Sequence, residues 1–87
     1  MVISAMTKLK PKKRSLTLNG HRTSVSIEDL FWTAFLRIAK QRNMGINELA
    51  AEIDTTRDPF DGGLASAIRD YVLTWYMTQA EGQSHHD

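Results

Sequence analysis

Apolar and polar residues alternate on both sides of an Asn-Gly pair in the first third of the chain. The stretch RSLTLNGHRTSVSI places Asn19 and Gly20 between two alternating runs, which predicts a β-hairpin closed by a type I′ turn. A two-residue turn fixes the strand register, and one face of the hairpin then carries the apolar residues Leu16, Leu18, Val25 and Ile27. The opposite face carries Ser15, Thr17, Arg22, Ser24 and Ser26. We therefore expect a two-stranded ribbon with one buried face and one polar face.

After the hairpin the spacing of apolar residues changes to that of an α-helix. A first helix is predicted from Glu28 to about Asn43, and it is apolar over most of its circumference. We expect Ser26 and Asp29 to form a capping pair at its start. Gly45 is expected to end it in the left-handed conformation.

Two further helices are predicted in the second half of the chain. Asn47 is a favourable N-cap residue for the second helix, which would bury Leu49 and Ile53. The run TTRDPFDGG interrupts the pattern, and a third helix is predicted from Leu64 to about Thr78. The predicted fold class is mostly α with a short β ribbon.

Three regions follow from this pattern. Residues 1–13 lack a periodic apolar face and are expected to be a flexible basic arm. Residues 14–78 form the predicted domain, and the polar residues 79–87 are expected to be a disordered tail.

Size and motif content narrow the functional classes. A chain of 87 residues without cysteine has a limited core and no disulfide, so we expect dimerisation to supply further burial. The sequence has no apolar stretch long enough for a signal peptide or a membrane span, which predicts a cytoplasmic protein without a membrane partner. It has no metal motif, phosphate-binding glycine loop or catalytic triad spacing either. We expect no enzymatic activity, no cofactor and no metal.

Charge is distributed unevenly, although the net charge is only +1. Residues 1–22 contain six basic residues and no acidic residue, whereas residues 23–87 contain five basic and all ten acidic residues. Unopposed positive charge of this kind favours an anionic partner over a merely solubilising tail. Nucleic acid is the first candidate, with both DNA and RNA open.

The order of these elements resembles the ribbon-helix-helix family of bacterial DNA-binding regulators. The resemblance rests on the Ser26-Ile27-Glu28 entry into the first helix and on the Gly45-Ile46-Asn47 turn before the second. The stretches KRSLTLNGHRTSVSIEDLFW, MGINELAAEID and LASAIRDYVLTWY are particularly similar to one small bacterial branch, with an extra hairpin strand and a C-terminal helix. The similarity covers roughly residues 13–77. It implies a homodimer in which one strand of each chain pairs antiparallel in an intermolecular sheet.

The resemblance also implies a site. The strand positions that face the DNA major groove in the family correspond to Arg22, Ser24 and Ser26, and an arginine and serines can hydrogen-bond base edges. The phosphate clamp corresponds to the start of the second helix, at Asn47 and the backbone amides of Glu48 and Leu49. Further phosphate contacts are expected from Lys10, Lys12, Lys13 and Arg14. The expected dimer core comprises Val25, Ile27, Phe31, Trp32, Phe35 and Ile38.

Two functions remain open at this stage. The first is a transcriptional regulator, autoregulatory or antitoxin-like, that binds double-stranded DNA as a dimer or as a pair of dimers. The second is a protein-interaction module, antitoxin-like or an adaptor, that does not bind DNA directly. The hairpin would make a four-stranded sheet in a dimer, which is wide for a groove of about 12 Å. Glu28 and Glu48 also place negative charge beside the proposed site.

Overall fold

The computed structural model describes residues 10–57 and 62–84. Its elements are, in order, strands β1 (Pro11–Leu18) and β2 (His21–Glu28) and helices α1 (Asp29–Gln41), α2 (Ile46–Thr56) and α3 (Leu64–Ser84). The strands pair antiparallel in a two-stranded sheet. Helix α2 packs beneath β1, and helices α1 and α3 pack beneath β2. The predicted class, mostly α with a short β ribbon, is confirmed.

The hairpin has the predicted turn and register. Asn19 and Gly20 have φ angles of 52° and 83°, as a type I′ turn requires. The pairing runs from Leu18 opposite His21 to Pro11 opposite Glu28. Of the four apolar residues expected on the inner face, Leu18 is half-buried and the other three are buried: Leu16, Val25 and Ile27.

One hydrophobic core lies between the inner face of the hairpin and the three helices. Its larger members are Leu16, Ile27, Phe35, Ile38, Leu49 and Ile68, each no more than 2% exposed. Tyr71 and Trp75 of α3 pack at its margin. Burial of apolar surface is the main favourable term in folding, so this core holds the ribbon on the helices.

Two predicted boundaries are corrected. Strand β1 begins at Pro11, so residues 11–13 belong to the ribbon and not to a flexible arm, because they pair with residues 26–28 of β2. Helix α3 continues to Ser84, six residues past Thr78, since a single Gly82 costs a helix only about 1 kcal/mol. The predictions for residues 1–9 and 85–87 lie outside the described residues.

The helix ends also differ from prediction. Asn43 and not Gly45 takes the left-handed conformation after α1, with φ 56°. The amides of Asn43 and Met44 donate to the carbonyls of Lys40 and Ala39, which is a Schellman motif. At the other end, residue 28 is the N-cap of α1, with no side-chain hydrogen bond, so the predicted capping pair is wrong. Gly45 instead precedes α2 as its N-cap, with φ −72°.

Arg42 joins all three helices where α1 ends. Its Nη1 donates to Glu52 Oε2 of α2 at 2.7 Å and to the Tyr71 hydroxyl of α3 at 2.8 Å. The hydrogen bond from Arg42 holds the pKa of the Glu52 carboxyl below its usual value. This cluster fixes the helical layer on which the hairpin rests.

Candidate nucleic-acid interface

The outer face of the hairpin is a continuous row of exposed polar side chains. We use "outer face" for three cross-strand pairs: Lys13 with Ser26, Ser15 with Ser24, and Thr17 with Arg22. All six side chains are exposed, and the six include two cations and no carboxylate. The structure therefore places the three predicted base-contact residues in one line, and it adds a parallel line from β1.

The turn determines which of these pairs approach most closely. In a two-residue hairpin the closing pair, Leu18 with His21, exchanges both backbone hydrogen bonds, and bonded and non-bonded pairs alternate from there. The three outer-face pairs are then all of the non-bonded type, in which the Cα atoms lie about 4.5 Å apart. Side chains from the two strands consequently form one surface.

The same alternation directs backbone groups of the outer-face residues toward the two free edges of the ribbon. At the β1 edge, the Thr17 amide donates to Asn47 Oδ1 at 2.9 Å. At the β2 edge, Arg69 Nη2 donates to the Ser26 carbonyl at 2.9 Å. Each edge of the ribbon is thus attached to a helix by one side chain.

The two carboxylates at the end of β2 are both paired with cations. Arg69 contacts both carboxyl oxygens of Glu28, at 2.8 and 3.2 Å, and this lowers the pKa of Glu28. Hydrogen bonds from Arg14 and Lys12 likewise lower the pKa of Asp29. In the sequence, the negative charge of Glu28 argued against DNA binding. In the structure this charge is largely compensated by Arg69.

Arg14 is not available as a phosphate contact. It lies on the inner side of β1, where it donates to Asp29 and to the Ile27 carbonyl, and its guanidinium lies 5.4 Å from the centroid of the Trp32 ring. Only 18% of its side chain is exposed. The prediction of Arg14 as a phosphate contact is wrong, because strand parity turns its side chain toward the core.

The other predicted basic contacts differ among themselves. Lys12 also lies on the inner side, 3.2 Å from Asp29, although 58% of its side chain is exposed. Lys13 belongs to the outer face, and Lys10 is exposed just before β1 begins. Among the described residues, Lys13 and Arg22 on the ribbon and Lys10 just before it are cations that have no ion-pair partner.

The predicted phosphate clamp also changes. Helix α2 begins at Ile46, and the Leu49 amide donates to the Gly45 carbonyl at 3.0 Å, so this amide is not free. Glu48 Oε1 accepts a hydrogen bond from the Gly45 amide at 2.9 Å, which places a carboxylate on the helix end. Asn47 does not cap the helix, because its side chain holds the edge of β1. The assignment of the Leu49 amide as a phosphate contact is therefore wrong. The Glu48 carboxylate repels an anion at this end of the helix.

The residues expected in a dimer core lie largely in the core of the single chain. Four of the six are buried by the chain's own elements: Val25, Ile27, Phe35 and Ile38. Phe31 and Trp32 are half-buried. Among the described residues, the large apolar side chains left exposed are Leu30 and Leu36 on α1 and Leu73, Tyr76 and Met77 on α3. A dimer role for the six residues stays a prediction.

Two residues position the ribbon in ways that sequence reasoning did not predict: Arg69 was not singled out at all, and Asn47 was assigned to a phosphate clamp. Arg69 is separated from Glu28 by 41 positions, and no local pattern indicates such a pairing. For Asn47 a signal existed, because Gly45 and Glu48 have the spacing of a capping box, which starts the helix earlier and frees the asparagine side chain.

Comparison with known proteins agrees with this architecture. A family model described as a ribbon-helix-helix domain matches residues 11–76, which is most of the chain and includes the hairpin, α1, α2 and the first part of α3. The chain belongs to the ribbon-helix-helix family. Neither the search of curated proteins nor the search of solved structures returned a match.

Within residues 10–57 and 62–84, none of the helices combines the length and the apolar character needed to cross a bilayer.

Proposed function

We propose that this protein is a dimeric transcriptional regulator that binds double-stranded DNA through its β ribbon. The observation that carries the proposal is the outer face: six exposed polar side chains, with two unpaired cations and no carboxylate. A two-stranded ribbon fits the major groove, and an arginine can bind a guanine edge through two hydrogen bonds. Family membership supports the same function.

Within this proposal Arg22, Ser24 and Ser26 contact base edges. They protrude from the same face of β2 at intervals of two residues, and within the described part of the chain their side chains form no hydrogen bond or ion pair. Lys10 and Lys13 contribute attraction to the phosphates, which does not depend on sequence. Arg14 and the Leu49 amide have no place in this site, since both are engaged within the chain.

We also propose that the working unit is a homodimer. Leu30, Leu73 and Met77 are each more than half exposed, and a chain this small gains much from covering such side chains. The spacing of Leu73, Tyr76 and Met77 from Arg69 puts these residues on the same face of α3 as Arg69. Arg69 contacts the free edge of β2. A second copy could therefore cover the apolar face of α3 next to the ribbon.

The alternative function, a protein-interaction module without DNA binding, is favoured by one consideration. If β2 strands of two copies paired, three strand spacings would give a sheet about 14 Å across between its outer strands. This exceeds the width of about 12 Å available in the major groove. The polar outer face would then serve a protein partner.

The dependence of binding on salt separates the two functions. We expect affinity for a random-sequence duplex pool to fall steeply with salt, with a logarithmic slope of about 0.9 for each phosphate contacted. Arg22→Ala should reduce discrimination between DNA sequences. Arg37→Ala removes an equal charge from an exposed position on α1 and should leave this discrimination unchanged. No measurable binding to DNA at low salt, or no effect of Arg22→Ala on discrimination, would contradict the proposal.

A further inference from the structure

We infer that β1 is a second reading strand, and that Lys13, Ser15 and Thr17 contact the same DNA bases and phosphates as β2. The inference rests on the proposed function. It extends that function to β1, because the DNA-facing strand of the family corresponds to β2 alone. Its basis is the outer face, in which every reading position of β2 has an exposed polar neighbour on β1.

The chemistry of the β1 row suits DNA as well as that of β2. Ser15 and Thr17 carry hydroxyls that donate and accept, and hydroxyl side chains pair with several base edges. Lys13 provides an ammonium at the end of the row farthest from the turn. Since Ser15 lies beside Ser24 and Thr17 beside Arg22 in closely spaced pairs, a base edge within reach of one strand is within reach of the other.

The dimensions of one hairpin support the inference. Neighbouring strands lie about 4.8 Å apart, so the hairpin of a single chain is well within a groove about 12 Å wide. It therefore has the width that a two-stranded ribbon needs, without a strand from another copy.

The edges of the hairpin support the inference as well. The Ser26 carbonyl, which a further strand beside β2 would use, already accepts a hydrogen bond from Arg69 at 2.9 Å. The Thr17 amide at the opposite edge is held by Asn47. One backbone group at each edge is therefore engaged by a helix of the same chain, and these contacts hold β1 and β2 on the helices as one ribbon.

Selection from a pool of randomised duplexes tests the inference without knowledge of the natural target. Wild-type protein, Ser15→Ala and Thr17→Ala are each allowed to enrich sequences, and the base preferences at each position are compared. We expect each variant to lose at least about fivefold of preference at one or more positions, the low end for a lost base contact. Lys13→Ala should weaken all sequences alike and reduce the salt slope.

Thr23→Ala is the matched control, because Thr23 is an exposed threonine of the same hairpin on the opposite face. It should leave the preferences unchanged. Unfolding of each variant by circular dichroism checks that the hairpin remains folded. If wild type enriches a sequence and the Ser15 and Thr17 variants enrich it equally, β1 does not read DNA and the inference is overturned. If wild type enriches nothing, the proposed function itself fails.

Discussion

Arg69 is expected to stabilise the chain by attaching α3 to the end of β2. Arg69→Ala removes two contacts with the Glu28 carboxylate, at 2.8 and 3.2 Å, and one with the Ser26 carbonyl, at 2.9 Å. The side chains of the ion pair are 30% and 20% exposed, so solvent screens it only in part. We assign it about 0.5–1 kcal/mol, toward the upper end for such pairs. The hydrogen bond to the carbonyl adds about 1 kcal/mol.

The two contributions together predict a loss of roughly 1.5–2 kcal/mol in the free energy of unfolding. For a domain of this size, about 1 kcal/mol corresponds to a shift of 4–8 °C in Tm, so Arg69→Ala should lower Tm by at least about 6 °C. The measurement is thermal unfolding followed by far-UV circular dichroism at one fixed protein concentration, since Tm of an oligomer depends on concentration. Arg37→Ala serves as the control for loss of an exposed arginine.

A double-mutant cycle isolates the ion pair from the hydrogen bond to Ser26. Glu28→Gln alone and combined with Arg69→Ala should reveal a coupling energy of about 0.5–1 kcal/mol. Because the folded-state pKa of Glu28 is lowered, its contribution exists above the ordinary Glu pKa and is lost as pH falls through the lowered value. An unchanged Tm in Arg69→Ala together with zero coupling at neutral pH would refute this account of the ribbon's attachment.

Three further predictions concern the core, the turn and the strand end. Ile68→Ala should lower the free energy of unfolding by about 2–5 kcal/mol, measured by urea titration, because Ile68 is fully buried; a loss under 1 kcal/mol would contradict its place in the core. Gly20→Ala should lower Tm by several degrees, because Gly20 has a φ of 83°, which a residue with a Cβ atom adopts only with strain. Gly63→Ala is the control and should have little effect, since Gly63 lies in open space and has no positive φ. Equal Tm values for the two variants would argue against the type I′ turn. Asp29→Asn should destabilise the protein at neutral pH. The difference in Tm should begin to shrink as pH falls below the ordinary pKa of 3.8 and should vanish only below the lowered folded-state pKa of Asp29, where the carboxyl is protonated in both states; a gap that persists there would point to packing.

The hairpin could be predicted from the sequence because its signals are local. An Asn-Gly pair fixes the turn, the turn fixes the register, and the alternation then assigns each side chain to a face. For Arg14, charge alone led to a wrong prediction, whereas the alternation of side chains along β1 assigned it to the correct face. Its charge suggested a phosphate contact, yet its parity, equal to that of Leu16, already placed it on the inner side, where Asp29 and Trp32 lie.

The contacts that position the ribbon could not be predicted, because they join residues far apart in the chain. Arg69 and Ser26 are 43 positions apart, and Thr17 and Asn47 are 30 apart. Neither contact leaves a pattern in the local spacing of residues. The same is true of the burial of Phe35 and Ile38, which a dimer was expected to supply and which the core of a single chain provides.

The arrangement of two hairpins in a dimer can be tested with a single cysteine, because the chain contains none. If β2 strands of two copies paired about Ser24, the Cα atoms of the two Ser24 residues would lie about 5.5 Å apart, within the range of a disulfide. Because Arg69 occupies the Ser26 carbonyl and a four-stranded sheet exceeds the groove, we expect the hairpins to remain separate. Ser24→Cys should then form a cross-linked dimer under mild oxidation no faster than Ser15→Cys, which is equally an exposed outer-face position but lies on β1. Rapid and complete cross-linking of Ser24→Cys alone would show that β2 pairs across the dimer, and β1 would then lie outside the part of the sheet that enters the groove.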